Sequence, residues 1–302
     1  MERQWNLPEV PADIPHGDMP GDKIRIETDH IVKAKAIYPA LRDAMTGLGK
    51  RRIVVAVCGG SGVGKSEIAS VLAYYLNNAG IGTYVMSGDN YPHRIPVDND
   101  AERLRIYRQG GLRGMTAHHL VSPETTAQLK TLWIDERDAD PAAATEYPWL
   151  GVYQRAGRRS LTGYLGTTKE IDFNEVSDIL ARFHQGEQAI YLKRMGRLAT
   201  DLWYDLVDFS NINVLIVEWT HGNSDFLEGV DIPILLNSTP AETLAHRRAR
   251  NRDGQTDSAF TTMVLEIEQQ KLETQAHKAK IILSKQGELL SYAEYRRLMA
   301  NA

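Results

Sequence analysis

The stretch GGSGVGKS, residues 59–66, decides how the rest of the chain is read. It fits the pattern G-x-x-x-x-G-K-[ST], and its flanks give the pattern its meaning. Ahead of it, Ile53 to Cys58 is a continuous Val-rich run, the signature of a strand buried on both faces of a parallel sheet. Behind it, Ile68, Val71, Leu72, Tyr75 and Leu76 recur at helical spacing, and Gly80 closes the helix. In a glycine loop between strand and helix, successive backbone N–H groups point at nucleotide phosphates, and the helix adds its positive end. Gly59, Gly60, Ser61, Gly62, Val63 and Gly64 supply that cradle. Lys65 would reach the β- and γ-phosphates, and the Ser66 hydroxyl would complete the coordination of Mg2+.

Outward from the loop, further apolar runs follow at Thr83 to Met86, Val214 to Val217, Ile232 to Leu236 and Ala279 to Leu283. Separated by helical patterns, they predict an α/β fold, a P-loop NTPase with a three-layer parallel sheet. Thr239, Pro240 and Glu242 occupy N-cap, N1 and N3 of a capping box after the fourth of these runs, counting Ile53 to Cys58 as the first. Residues 28–50 read as a helix from an Asx or Thr cap, broken or kinked at Pro39, and residues 1–23, with four prolines, as an irregular arm. Together, residues 1–50 form an N-terminal arm and helix, and residues 51–302 a P-loop domain. Between about 99 and 205, predicted helices (102–109, 123–133, 173–184, 198–208) alternate with a Gly- and Arg-rich segment over 150–168. This region is expected to be an insertion covering the carboxyl edge of the sheet.

Composition narrows the function classes. With 302 residues, 42% hydrophobic and 25% charged, the chain has the profile of an ordinary globular protein with a sizeable core. A single cysteine, Cys58, excludes an intramolecular disulfide and a Cys-based zinc site, so a reducing, cytoplasmic setting is expected. No leader pattern opens the chain, and no apolar run is long enough to span a bilayer, so no membrane partner is expected. The net charge of -4 argues against a general nucleic-acid footprint.

Ligands of open α/β sheets bind where strands end. Two carboxylates stand there: Asp89 after the second run, in VMSGDNYPHR, and Glu218 at the end of the third, in NVLIVEWTHGN. One can act as general base on an incoming hydroxyl and the other can hold magnesium through water. In AHRRARNRDG, residues 245–254, arginines could stabilise a transferring phosphoryl group, although at most two can face it. Five more basic residues, His93, Arg94, Lys193, Arg194 and Arg197, raise the expectation of an anionic acceptor. The alternative is that they pair with carboxylates of the protein itself.

In GGSGVGKS, SGDNYPHR, VEWTHG and RRARNRDG, in this order, the chain resembles the phosphoribulokinase and uridine kinase family of P-loop small-molecule kinases. The resemblance covers roughly residues 52–95 and 170–290. It implies a nucleoside-kinase-like fold and ATP- and Mg2+-dependent phosphorylation of an alcohol on a small-molecule acceptor. Asp89 falls at the base position, Lys65 and Ser66 on phosphate and magnesium, and Glu218 near the metal. Arg248 and Arg252 fall in a lid at about 245–258, and His221 matches a histidine of the family's substrate site. A homodimer is implied by the resemblance alone. Trp219 departs from the family, which usually has Gly there, as does Gln255, where the lid often has arginine. The Tyr-Asp-Phe element of uridine kinases is replaced by Tyr191 to Gly196, which argues against uridine. Competing readings are an NTPase switch and a catalytically silent nucleotide-binding regulator; against the switch, no Asn-Lys-x-Asp element is present.

Overall fold

The Val-rich run is strand β1, Ile53–Gly59, and all seven of its residues are buried. The cause is its place in the sheet. Parallel partners flank it on both sides, β5 (Val214–Glu218) and β6 (Ile232–Leu236), so neither of its edges meets water. Beside β5 lies β2 (Thr83–Ser87), and beside β6 lies β7 (Ile281–Leu283), all parallel; a short antiparallel β8 (Leu289–Leu290) ends the sheet. The order is β2-β5-β1-β6-β7-β8. This is the predicted α/β architecture, seen in a computed structural model that describes residues 6–239, 242–243 and 258–300.

Side chains alternate across a strand, and that alternation divides the core. Val55, Val57, Ile232 and Ile234 belong to one cluster with residues of α1 (Thr28–Leu48) and α2 (Lys65–Asn78), among them Ile37, Leu41, Ile68 and Leu72. Cys58, Leu235 and Ile282 belong to another, with Leu272 of α8 (Ala259–Gln275) and Tyr295 of α9 (Tyr292–Ala300). Helices therefore cover both faces of the sheet.

Two compact units make up the chain. The first contains residues 1–91, 172–244 and 271–302 and holds all the strands among the described residues. The second contains residues 92–171 and 245–270, with a core of its own that includes Tyr107, Leu129, Tyr153, Leu161 and Ile267. Within the second unit, α3 (Pro96–Ala117) packs against α6 (Leu150–Thr162). Most of the Gly- and Arg-rich segment is thus helical. Its glycine and those of α3 are what let the two helices approach: a Cβ on Gly111 would lie 2.3 Å from the Tyr153 ring, and one on Gly157 would lie 2.7 Å from Tyr107. Among the described residues this unit also holds α4 (Pro123–Ile134), α5 (Ala143–Glu146) and residues 259–270 of α8.

Two local expectations are corrected. The cap of α1 is not Asx or Thr: Glu27 and His30 form a reciprocal capping box, and the helix continues through Pro39 without a break. Packing outweighs the lost backbone bond, because Ile37, Tyr38 and Leu41 around the proline are fully buried. The segment predicted as a helix over 198–208 is instead β4 (Leu202–Asp208), antiparallel to β3 (Ala189–Met195). Its Leu-Trp-Tyr-Asp-Leu-Val-Asp sequence suits a pleated ribbon, and a tight turn, with Gly196 N–H donating to the Asp201 carbonyl at 2.7 Å, sets Met195 opposite Leu202. Helix α7 (Phe173–His184) forms where predicted. So does the capping box of Thr239 and Glu242, with bonds of 2.7 and 3.3 Å; Pro240 lies outside the described residues.

Candidate active site

The glycine loop leaves the carboxyl end of β1 and enters α2 through Gly64, whose φ of +92° only glycine adopts without strain. The loop is also crowded there: a Cβ on Gly64 would lie 2.9 Å from the His30 imidazole of α1. Lys65 opens the helix and donates from Nζ to the Gly60 carbonyl at 3.1 Å, so the ammonium is folded over the cradle it would share with phosphate. Ser66 follows, and its Oγ donates to Glu218 Oε2 at 3.1 Å.

Glu218 stands where three strand ends meet. It pairs in register with Val57 of β1 and Ser87 of β2, and the Ser87 hydroxyl donates to its Oε1 at 2.8 Å. Both oxygens are thus held by serine hydroxyls from neighbouring elements, and the residue is only 4% exposed. Burial pushes the Glu218 carboxyl up to about 8, with the nearby negative charge of Asp89 adding to the rise and Lys65 opposing it. A hydroxyl and a carboxylate beside a phosphate cradle are the hard oxygen donors that suit magnesium.

Asp89 sits one strand further out, exposed, on a single turn of 3-10 helix (Gly88–Asn90) that continues β2. The turn rests on an aromatic floor. Gly88 lies flat on Trp219, so that a Cβ there would come within 2.1 Å of the indole, and the indole in turn meets Phe173 and His221 with ring centroids 5.2 and 5.5 Å away. The sequence departure at Trp219 therefore has a local complement in Gly88. Substituting Gly88→Ala is expected to cost about 2–3 kcal/mol, because the indole is itself buried and has nowhere to move. A urea midpoint matching that of the native chain would show that the ring yields.

The turn is also gripped from the N-terminal arm, by a residue that no sequence pattern singles out. Asp18 Oδ1 accepts from the Ser87 backbone N–H at 2.7 Å and from Asn90 Nδ2 at 3.3 Å. Its Oδ2 accepts from the Tyr84 hydroxyl at 3.0 Å and from Arg194 Nη1 at 2.9 Å. The arm is thus partly built into the first unit: Ile14 is in its core, and Gly17 approaches the Glu218 side chain. The only sequence cue to Asp18 is an acidic residue between prolines and glycines.

Of the five basic residues, Lys193, Arg194 and Arg197 belong to the first unit, and His93 and Arg94 to the second. Arg194 is 5% exposed and ion-paired to Asp18 and to Asp205, the latter at 3.1 Å, and Lys193 beside it is also buried. Arg197, past the end of β3, is exposed. His93 and Arg94 belong to the second unit, where the His93 ring meets the Thr168 carbonyl at 3.1 Å and Arg94 donates to the Tyr164 hydroxyl and faces Glu102 at 3.9 Å. Arg248 and Arg252, with nearly all of the lid segment, lie outside the described residues.

No family model matches the chain. Over 255 residues, 84% of its length, it is 38% identical to the bifunctional alpha-galactosidase/sucrose kinase AgaSK of Mediterraneibacter gnavus, and that match spans 22% of the relative. A stretch of 66 residues, 21% of the chain and 33% of the relative, is 38% identical to adenylyl-sulfate kinase of Escherichia coli. Among solved structures, D-glycerate 3-kinase from Cryptococcus neoformans aligns with a TM-score of 0.49 and 10% identity, covering 88% of this chain and 98% of that one. The chain carries a P-loop on an α/β sheet, and the proteins it is similar to bear the names of kinases. No helix among the described residues is long and apolar enough to cross a membrane.

Proposed function

We propose that this P-loop protein is a kinase that transfers the γ-phosphoryl group of ATP to a hydroxyl of an uncharged sugar. The observation that carries the reading is the layout of the strand ends. Ser66 and Glu218 form an oxygen pair beside the cradle, and one strand further out an exposed carboxylate, Asp89, faces solvent where an acceptor could enter. In this reading the loop amides and Lys65 bind the phosphates, Lys65 exchanging the Gly60 carbonyl for phosphate oxygen, and Asp89 accepts the proton of the attacking hydroxyl. Ser66 and Glu218 would hold magnesium, which when bound neutralises charge on the β- and γ-phosphate oxygens. To hold the cation, Glu218 would have to be ionised.

Two points favour an uncharged acceptor over the anionic one suggested by the sequence. Arg194 and Arg94 already face carboxylates of the chain, so the premise for an anion-binding cluster is weakened. The relative with the longest match named above is called in part a sucrose kinase, and of its two named activities only phosphoryl transfer calls for a nucleotide cradle; glycoside hydrolysis uses paired carboxylates instead. A cytoplasmic setting, where ATP is abundant, agrees with a lone buried thiol.

ADP release with Mg-ATP, measured across sucrose, other neutral sugars, sugar phosphates and glycerate, tests the reading. A neutral sugar is expected to stimulate release at least tenfold over the acceptor-free rate. Stimulation by phosphorylated or acidic acceptors alone would return the anionic reading. ATP binding without stimulation by any acceptor would favour the switch or regulator.

A further inference from the structure

We infer that Asp18, in the N-terminal arm, is a positioning residue for the proposed base: its carboxylate holds the turn that carries Asp89 and ties that turn to the β3–β4 ribbon. The inference rests on the reading of Asp89 as the base. One oxygen of Asp18 binds the turn on both sides of Asp89, through the Ser87 N–H before it and the Asn90 amide after it. The other oxygen binds Tyr84, within β2, and Arg194, within β3. The connection to the ribbon is closed a second time, because Asn90 Oδ1 accepts from the Met195 N–H at 3.0 Å. Arg194 also donates from Nη2 to the Tyr84 hydroxyl at 3.1 Å and from Nε to Asp205 at 3.1 Å, so the guanidinium is locked as well.

The arrangement goes beyond what is needed to pin an arm to a sheet. An arm could be fastened by apolar contacts such as those of Ile14, and one backbone bond to an edge strand would fix its register. Here an ionisable side chain with an 8% exposed carboxylate accepts four donors, and two of the four bracket the functional turn. Buried charge of this kind is costly unless every lone pair is used. What it provides is geometry. Asp89 is exposed at the tip of the turn, and a proton acceptor displaced by about 1 Å can lose a hundredfold in rate.

The test compares Asp18→Ala, Asp18→Asn, Asp89→Asn and the double variant Asp18→Ala/Asp89→Asn with the native chain. Sugar-dependent kcat and KM, ATP affinity by equilibrium binding and the thermal midpoint are read for each. Asp18→Ala is expected to lower kcat about 30- to 100-fold with ATP affinity within about threefold. Asp18→Asn can keep its carbonyl on Ser87 and Asn90 while its amide opposes Arg194, so its loss should be smaller, about three- to tenfold, and it covers the case in which the alanine variant does not fold. Because Asp18 acts through Asp89, adding Asp18→Ala to Asp89→Asn should lower kcat no more than about twofold further. Losses that multiply in the double variant, a kcat of Asp18→Asn equal to the native value, or a fall in ATP affinity matching the fall in turnover would each overturn the positioning role. Failure of the base reading looks different: Asp89→Asn then turns over like the native chain, or no sugar stimulates any variant, and the positioning role falls with it.

Discussion

Asp89→Asn is expected to lower sugar-dependent kcat by about a thousandfold, within the range of 10²–10⁴ that a positioned general base contributes, while ATP still binds with its affinity changed less than about threefold. The amide fills the same space on the Gly88–Asn90 turn but cannot take the hydroxyl proton. The variant has a second signature. The charge of Asp89 is one of the causes that raise the Glu218 carboxyl, so its removal should ease deprotonation of Glu218 and shift magnesium dependence toward lower pH. A rate within fivefold of the native one, with no change in its pH profile, would remove Asp89 from the mechanism.

Glu218→Gln is expected to have the largest effect on stability, and its sign depends on pH. In the native chain without nucleotide, the folded Glu218 keeps its proton up to about pH 8, whereas an unfolded glutamate releases it near its ordinary value of 4.5. Between these limits the folded state binds more protons than the unfolded one, so stability is highest at or below the lower limit and is lost as pH rises toward 8. Glutamine resembles the protonated carboxyl in shape and carries no proton to lose, and the Ser66 and Ser87 hydroxyls can rotate to accept from its amide. The variant and the native chain should therefore have similar urea midpoints at pH 5, while at pH 8.5 the variant should be more stable by on the order of 2–4 kcal/mol. Parallel midpoint curves across this range would show that Glu218 is ionised in the folded chain throughout. With Mg-ATP present the order at pH 8.5 should reverse, since only the native carboxylate can exchange its proton for the cation.

The central sheet was legible because its signals are local. A Val-rich run followed by a glycine loop and a helix suits a strand buried on both faces of a parallel sheet, and the loop, the helical spacing after it and the Thr239/Glu242 box each lie within a few residues. The loop residues, Glu218 and Asp89 follow from the same locality, as they stand directly at strand ends. What lay beyond these local patterns was decided by tertiary partners. Residues 202–208 become a strand because β3 lies beside them, and Pro39 sits inside a helix because its neighbours are buried. The basic residues were grouped by sequence clustering, yet Arg194 and Arg94 find partners far along the chain, at Asp18 and Tyr164, that no short-range pattern reveals. Asp18 was missed for the same reason.

That separation has a bearing on how the protein is made. Asp18 and Arg194 are 176 positions apart, and the residues between them include most of the second compact unit. A nascent chain presents its glycine loop early, but the turn that carries Asp89 cannot be locked until β3 has left the ribosome. Contacts of such long range are among the last to form, because the loop they close must be ordered first. The loop's own strand waits longer still: β1 gains its partners β5 and β6 only from residues 214–236, so a chain halted before residue 194 would have neither the phosphate cradle nor the acceptor side in place.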